Sequence, residues 1–407
     1  MPWKEHCEKS ARRRFIEEVR FGLYSVCELC GRYEISRKTA YKWVKRFFEG
    51  GVEALGNRSR RPRKLRGSAL GPAWKQRILG LKKRHPHWGA KKLRARLGVV
   101  FADQKVPSCS TIQRLLRKAN LVRPTRRRLR GPLWMQPDWK QPQESNEVWS
   151  VDYKGWFRTG DGQACHVLTV SDLWSRYLLC AEAHARIDGE RARRCLERLF
   201  SAYGLPRAIR LDNGKPFGER SAPLGLTRLS VCWRLAGIEL QFIAPGCPYQ
   251  NGSHERMHRT LKAEAATPPA RSLHSQKRRL QRWRLIFNQQ RPHEALGGRC
   301  PGELYRPSQG WYQPLKDQPQ YPPDWPRRSV GPKGDIWWEH RRRFIGRAFC
   351  GRQIGFKFIE AGCWEVYLGD LLLGHLHDAD LGGLRPTVLV YGSNKNLKST
   401  HQPSSPD

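Results

Sequence analysis

The 407-residue chain carries 76 lysines and arginines against 36 acids, a net charge of +40. Such an excess calls for a polyanionic partner, and nucleic acid is the one that fits; sixteen tryptophans argue against a histone-like or ribosomal protein and for two to four packed domains. No apolar run approaches the roughly 18–20 residues that span a bilayer, and residues 1–10 are charged rather than signal-like, so no membrane partner is expected. The twelve cysteines are scattered, which in such a chain reads as reduced thiols. Cys27-x-x-Cys30 is the one tight pair, and two half-buried thiols on a helix explain it better than zinc shared with His6 and Cys7.

In chain order, residues 10–48 read as a helix-turn-helix within a module over 1–56. Phe15, Val19 and Leu23 recur at helical spacing, Ser25 to Cys30 gives a short second helix, Gly31 makes the turn, and Ser36 caps a third helix. Ala40, Trp43, Val44 and Phe47 form its apolar stripe. Arg37, Lys38, Tyr41, Lys42 and Arg46 lie on the open face, where a recognition helix meets DNA. A linker at 57–67 carries Arg60, Arg61 and Arg63 and suits a minor groove. A second module of the same kind spans 68–122, with Trp74, Ile78 and Leu81 on one helix and Ser108 or Ser110 capping another. Five arginines then fall within 123–130, among them Arg126, Arg127 and Arg128, a run suited to phosphate contacts.

The composition shifts to α/β over 146–300. Strands are expected at 148–157, 165–171 and 176–181, with Gly160-Asp161-Gly162 as a hairpin turn. Asp188 caps a helix running to Tyr203, and a strand at 207–211, a helix at 226–236, a strand at 238–243 and helices from Ser253 and over 273–288 follow. Three antiparallel strands followed by αβαβα is the order of an RNase H-like fold, a mixed sheet flanked by helices. Residues 301–326 are proline-rich and read as a linker, 328–391 as a small C-terminal β-barrel, and the last sixteen residues as disordered.

Three acids stand out. Asp152 sits inside the apolar strand Val148-Trp149-Ser150-Val151-Asp152-Tyr153, where a lone carboxylate is costly without compensation. Asp212 ends a strand at the Asn213-Gly214 turn, and Glu255 lies in the first turn of the helix from Ser253. Two strands and one helix carrying three acids suggest a cage for Mg2+ or Mn2+, because phosphodiester cleavage and transfer use two ions to handle the attacking and leaving oxygens.

These segments, with Leu211-Asp212-Asn213-Gly214-Lys215-Pro216-Phe217, Pro248-Tyr249-Gln250-Asn251-Gly252-Ser253-His254-Glu255-Arg256 and Arg291-Pro292-His293-Glu294-Ala295-Leu296, resemble the bacterial insertion-sequence transposases of the retroviral integrase superfamily. The resemblance implies a D…D…E triad of Asp152, Asp212 and Glu255 as catalytic, metal-holding residues. It implies binding to terminal inverted repeats and target DNA, a homo-oligomer on that DNA, and a bacterial cytoplasmic, nucleoid-associated location. One departure is the spacing between the second and third acids, where 255 − 212 − 1 = 42 residues intervene instead of the usual thirty-five; the excess is expected in the loop 218–225. Two other readings compete. A catalytically silent DNA-binding descendant of a transposase fits the charge, and His254-Glu255-Arg256-Met257-His258 satisfies the HExxH pattern of zinc proteases, with Glu264 as the one available further ligand.

Overall fold

The computed structural model describes residues 8–58, 70–122, 139, 141–310, 312 and 318–387. The arginines at 60, 61, 63 and 126–128 and the C-terminal tail lie outside the described residues. Two compact units divide the chain, Met1–Ala69 and Leu70–Asp407.

The first unit is a three-helix bundle of α1 (Glu8–Phe21), α2 (Val26–Arg32) and α3 (Arg37–Gly50). Ser25 accepts from the Glu28 backbone amide while the Glu28 carboxylate accepts from that of Ser25, and Ser36 accepts from the Thr39 amide, so each helix start has a free donor satisfied by its cap. Phe15, Leu29, Ala40 and Trp43 close the core. Leu23 is not in it: Gly22, at φ +69, ends α1 first and leaves Leu23 80% exposed.

The second unit opens with α4 (Pro72–Arg84), α5 (Ala90–Val100) and α6 (Cys109–Lys118), capped by Ser108. This helical module does not stand apart from the α/β region. Its core of Ile78, Leu93, Leu97 and Ile112 takes in Ile286 of a later helix, and Lys91 pairs with Glu294.

The α/β region follows the expected order: β1 (Val148–Arg158), β2 (Ala164–Asp172), β3 (Leu178–His184), α7 (Gly189–Tyr203), β4 (Ala208–Leu211), α8 (Arg228–Leu235), β5 (Glu239–Phe242), α9 (Gly252–Leu261) and α10 (Leu273–Gln289). The sheet order is β3-β2-β1-β4-β5, with β1–β2 and β2–β3 antiparallel and β1–β4 and β4–β5 parallel. Strand alternation assigns the two faces. Trp149, Val151, Leu168, Val170, Ile209 and Leu211 pack with α7 on one face, while Val167, Leu178 and Ala183 pack with Met257, Leu261 and Phe287 of α9 and α10 on the other. β3 starts two residues later than expected. Asp172, buried at the end of β2, accepts from the backbone amide and hydroxyl of Ser175, and Arg176 sits at φ +63, so 173–176 is a turn.

The stretch after residue 300 is more than a tether. A short α11 (Pro301–Leu304) leads to Tyr305, which stacks on Tyr177 with ring centroids 4.3 Å apart and donates to Asn146 Oδ1 at 2.7 Å. The C-terminal strands are β6 (Arg327–Ser329), β7 (Asp335–Trp338), β8 (Arg341–Phe344), β9 (Gln353–Glu360), β10 (Cys363–Leu368), β11 (Leu371–His377) and β12 (Arg385–Pro386). They form a five-stranded sheet, β12-β11-β10-β9-β6, and a separate β7-β8 hairpin. Among the described residues β12 and β6 do not pair, so no closed ladder bears out the expected barrel, though the Leu384 amide beside β12 donates to the Phe344 carbonyl of β8. The region's apolar residues, Phe349, Phe356 and Leu373 among them, join one core with Trp149, Phe200 and Leu224. The loop 218–225 lies in that junction: Leu224 is buried, and Gly218 bridges Leu226.

Candidate active site

Alternation along the sheet explains where the acids point. Trp149 and Val151 face α7, so Ser150 and Asp152 face α9; on β2, Leu168 and Val170 face α7 and leave Thr169 and Ser171 beside them. On β4 the same rule turns Arg210 and the following Asp212 toward α9. The helix is then fastened to this polar stripe. Ser150 and Asn251 exchange hydrogen bonds at 3.0 and 2.8 Å, fixing the chain where α9 begins. Arg210 donates to Gln241 Oε1 and to the Gln250 carbonyl, and Gln250 Oε1 accepts from the Ala244 amide.

Asp152, Asp212 and Glu255 thereby line one open cavity of about 490 Å³, with Asn213, Gly214 and Arg220 at its edge. Asn213 donates to the Ile243 carbonyl at 2.6 Å, and Asp212 accepts from the Gly214 amide at 3.3 Å. A Cβ at Gly214 would stand 3.1 Å from the Asp212 carboxylate, so glycine lets this turn fold back on its own acid. Burial, and then the charges of Asp212 and Glu255, push Asp152 up to about 8; burial also raises Asp212. Among the described residues no lysine or arginine pairs with any of the three. Three carboxylates without a cationic partner, two of them acting on Asp152 and all offering hard oxygen, fit divalent magnesium or manganese.

The HExxH pattern has a different use. His254 and His258 are buried against β2. The Thr169 hydroxyl donates to the Asp152 carbonyl at 3.0 Å, and with its one proton so spent it accepts from His254 Nε2 at 2.9 Å and His258 Nε2 at 2.7 Å. Ser171 donates to His254 Nδ1 at 2.8 Å. Burial holds His254 well below its usual value and brings His258 to about 3, so both rings are neutral. The 3.7 Å approach of His258 Nδ1 to Asp152 Oδ2 is therefore a polar contact and not an ion pair. Although these three residues are close enough to share a metal, three of the four ring nitrogens already have partners. Glu264 is bound to Arg291 and Trp283. The zinc-protease reading has no free ligand set. Neither Thr169 nor Ser171 stood out in the sequence; their alternation with Leu168 and Val170, matching Ser150 and Asp152 on β1, was the signal.

On α3, Arg37, Lys38, Tyr41 and Lys42 are exposed. Arg46 is half-buried, its guanidinium 4.7 Å from the Trp43 ring centroid, and Arg12 covers the same ring at 3.9 Å. Stacking thus holds Arg46 at the edge of the expected reading face. Cys27 is exposed and Cys30 buried, with His6 and Cys7 outside the described residues.

Comparison with known proteins follows the same lines. Two integrase core domain models match residues 142–248 and 236–301, a helix-turn-helix domain model matches 11–63, and a homeodomain-like domain model matches 39–116. The chain is 29% identical over 195 residues to the insertion element IS407 uncharacterized 31.7 kDa protein of Burkholderia multivorans, covering 47% of this chain and 67% of that protein. It is 28% identical over 232 residues to the insertion element IS476 uncharacterized 39.2 kDa protein of Xanthomonas euvesicatoria, covering 56% and 63%. The chain therefore spans about two thirds of the length of these relatives. Similar solved structures include the HTLV-2 integrase catalytic core domain in complex with magnesium (14% identity, TM-score 0.32, 40% of this chain and 99% of that one). Another is a simian T-cell lymphotropic virus intasome in complex with a PP2A regulatory subunit (14% identity, TM-score 0.36, 75% and 98%). By these matches the chain carries integrase core and helix-turn-helix domains and is similar to insertion-element proteins.

Proposed function

We propose that this protein is a DDE transposase that binds terminal inverted repeats in double-stranded DNA, cleaves the transposon 3′ ends and joins them to target DNA. The observation that carries this reading is the convergence of Asp152, Asp212 and Glu255 on one cavity, with Asp152 held neutral by burial and by the other two. These carboxylates would hold Mg2+ or Mn2+, two ions, which when bound activate the attacking oxygen and stabilise the leaving one. The chain's own work is positional. β1 and the end of β4 fix Asp152 and Asp212, while the Ser150–Asn251 clasp and the histidine bonds to β2 keep the first turn of α9, and so Glu255, at the cavity. Water is the nucleophile in the cut and the freed 3′-hydroxyl in the joining, so no covalent protein–DNA intermediate forms.

Arg37, Lys38, Tyr41 and Lys42 on α3 would meet base edges and phosphates, with Arg46 at their border and Arg60, Arg61, Arg63, Arg126, Arg127 and Arg128 on the backbone. Two ends must be held together for paired joining, which calls for a homo-oligomer on the DNA at the bacterial nucleoid. Among the described residues no helix is long and apolar enough to cross a membrane. A strand-transfer assay on the element's own ends, comparing wild type with Asp212→Asn in magnesium, tests the reading. Joining by the wild type and none by the variant is expected; repeat binding without joining by either protein would leave only a silent DNA-binding descendant.

A further inference from the structure

A second cavity, of about 240 Å³, lies where the helical module of α4–α6 meets the α/β region. Lys92 of α5, Arg176 of the β2–β3 turn, Arg256 and Thr260 of α9, and Arg291 and His293 beyond α10 all line it. Arg291 is paired with Glu264, and the one carboxylate on the lining, Glu294, is taken by Lys91. Among the described residues Lys92, Arg176 and Arg256 have no carboxylate partner. Among the described residues His293 Nε2 is buried without a hydrogen-bond partner, and its ring packs against Phe287 with centroids 4.8 Å apart.

Burial and the surrounding cations bring His293 to about 3, so the ring is neutral. Lys92 and Arg176 are both pushed down, by burial first and then by a neighbouring arginine. Cations gathered on one cavity, three of them without a carboxylate partner among the described residues, suit an anion.

Resting on the transposase reading, we infer that this cavity takes a single backbone phosphate of the bound DNA end. Arg256 and Thr260 lie on α9, the helix whose first turn carries Glu255, and Lys92 lies on the helical module. A phosphate seated among them ties the module, the DNA and the acid-bearing helix together. Recognition of an end would thereby be felt at the cavity where it is cut.

The test is a methylphosphonate scan of the terminal-repeat DNA, each phosphate made neutral in turn, with binding measured by competition in calcium. Neutralising one position, or two adjacent ones, should weaken wild-type binding roughly tenfold, the loss expected for a charged hydrogen-bonded contact. The same substitution should be nearly silent in Lys92→Ala/Arg176→Ala, and the sensitivity should return in Lys92→Arg/Arg176→Lys, which keeps the charges and controls for folding. Identical scans in wild type and the alanine variant would overturn the inference. So would a melting temperature raised by inorganic phosphate in wild type alone while no scan position differs, since the cavity would then serve a free anion. Joining by wild type and its loss in Asp152→Asn report on the transposase reading separately, so the two ideas can fail independently.

Discussion

Replacing Asp152 with asparagine should stabilise the metal-free protein above neutral pH while abolishing its chemistry. The carboxyl is pushed from 3.8 up to about 8 by burial and by Asp212 and Glu255, and its side chain is 20% exposed, too little for solvent to screen it fully. The folded chain therefore holds a proton that the unfolded chain has released between pH 4 and 8. More protons in the folded state means that stability is present at low pH and falls as pH rises through that window, by about 1.4 kcal/mol per unit. From pH 6 to 8 the wild type should lose about 2 kcal/mol through this group alone, on the order of 5 °C in melting temperature for a unit of this size. The amide of the Asp152→Asn variant carries the shape of the neutral acid at every pH, so that loss should vanish. The assay is thermal unfolding in EDTA at pH 6, 7 and 8. The gap between Asp152→Asn and wild type should widen in the variant's favour as pH rises, and magnesium at pH 8 should stabilise the wild type only. Parallel pH profiles for the two proteins would refute the reasoning, because Asp152 would then be charged and compensated.

Other substitutions probe neighbouring parts. Asp212→Asn and Glu255→Gln should each remove cleavage and joining while leaving repeat binding within about twofold, and the double variant should be little worse than either single one. His258→Ala leaves Thr169 short of a buried partner, so unfolding should show a loss of roughly 1–3 kcal/mol; a zinc chelator should leave wild-type joining untouched, and zinc should not rescue the variant. Repeat binding should weaken steeply with salt, each phosphate contact adding about −0.9 to the log–log slope. Lys42→Ala should cost roughly 1–3 kcal/mol in specific binding if it reads a base, and an unchanged footprint on scrambled and native repeats would remove α3 from recognition.

The sequence by itself determined the local devices and the sheet's faces. Ser36, Asp188 and one of the two expected serines, Ser108, cap their helices, because a cap needs only a side-chain oxygen within three residues of a free amide. Strict alternation around Trp149–Asp152 fixed which residues point into the core, and Asp212 and Glu255 were legible because a turn and a helix start are short-range events. Leu23 misled for a local reason too: its spacing suits a helix, but Gly22 ends that helix first.

Tertiary structure decided everything that depends on residues far apart in the chain. Only it set Thr169 and Ser171 against His254 and His258, turning an apparent zinc motif into a buried fastening, since hydrogen-bond partners more than eighty residues away leave no periodic trace. It also joined the helical module to α10 through Ile286 and to the turn beyond it through Glu294, and merged the C-terminal sheet with the core around Leu224. A domain boundary read from composition marks where local pattern changes. Whether two such stretches share a core depends on which apolar faces remain uncovered once each has folded, and that is known only when all of them are in place.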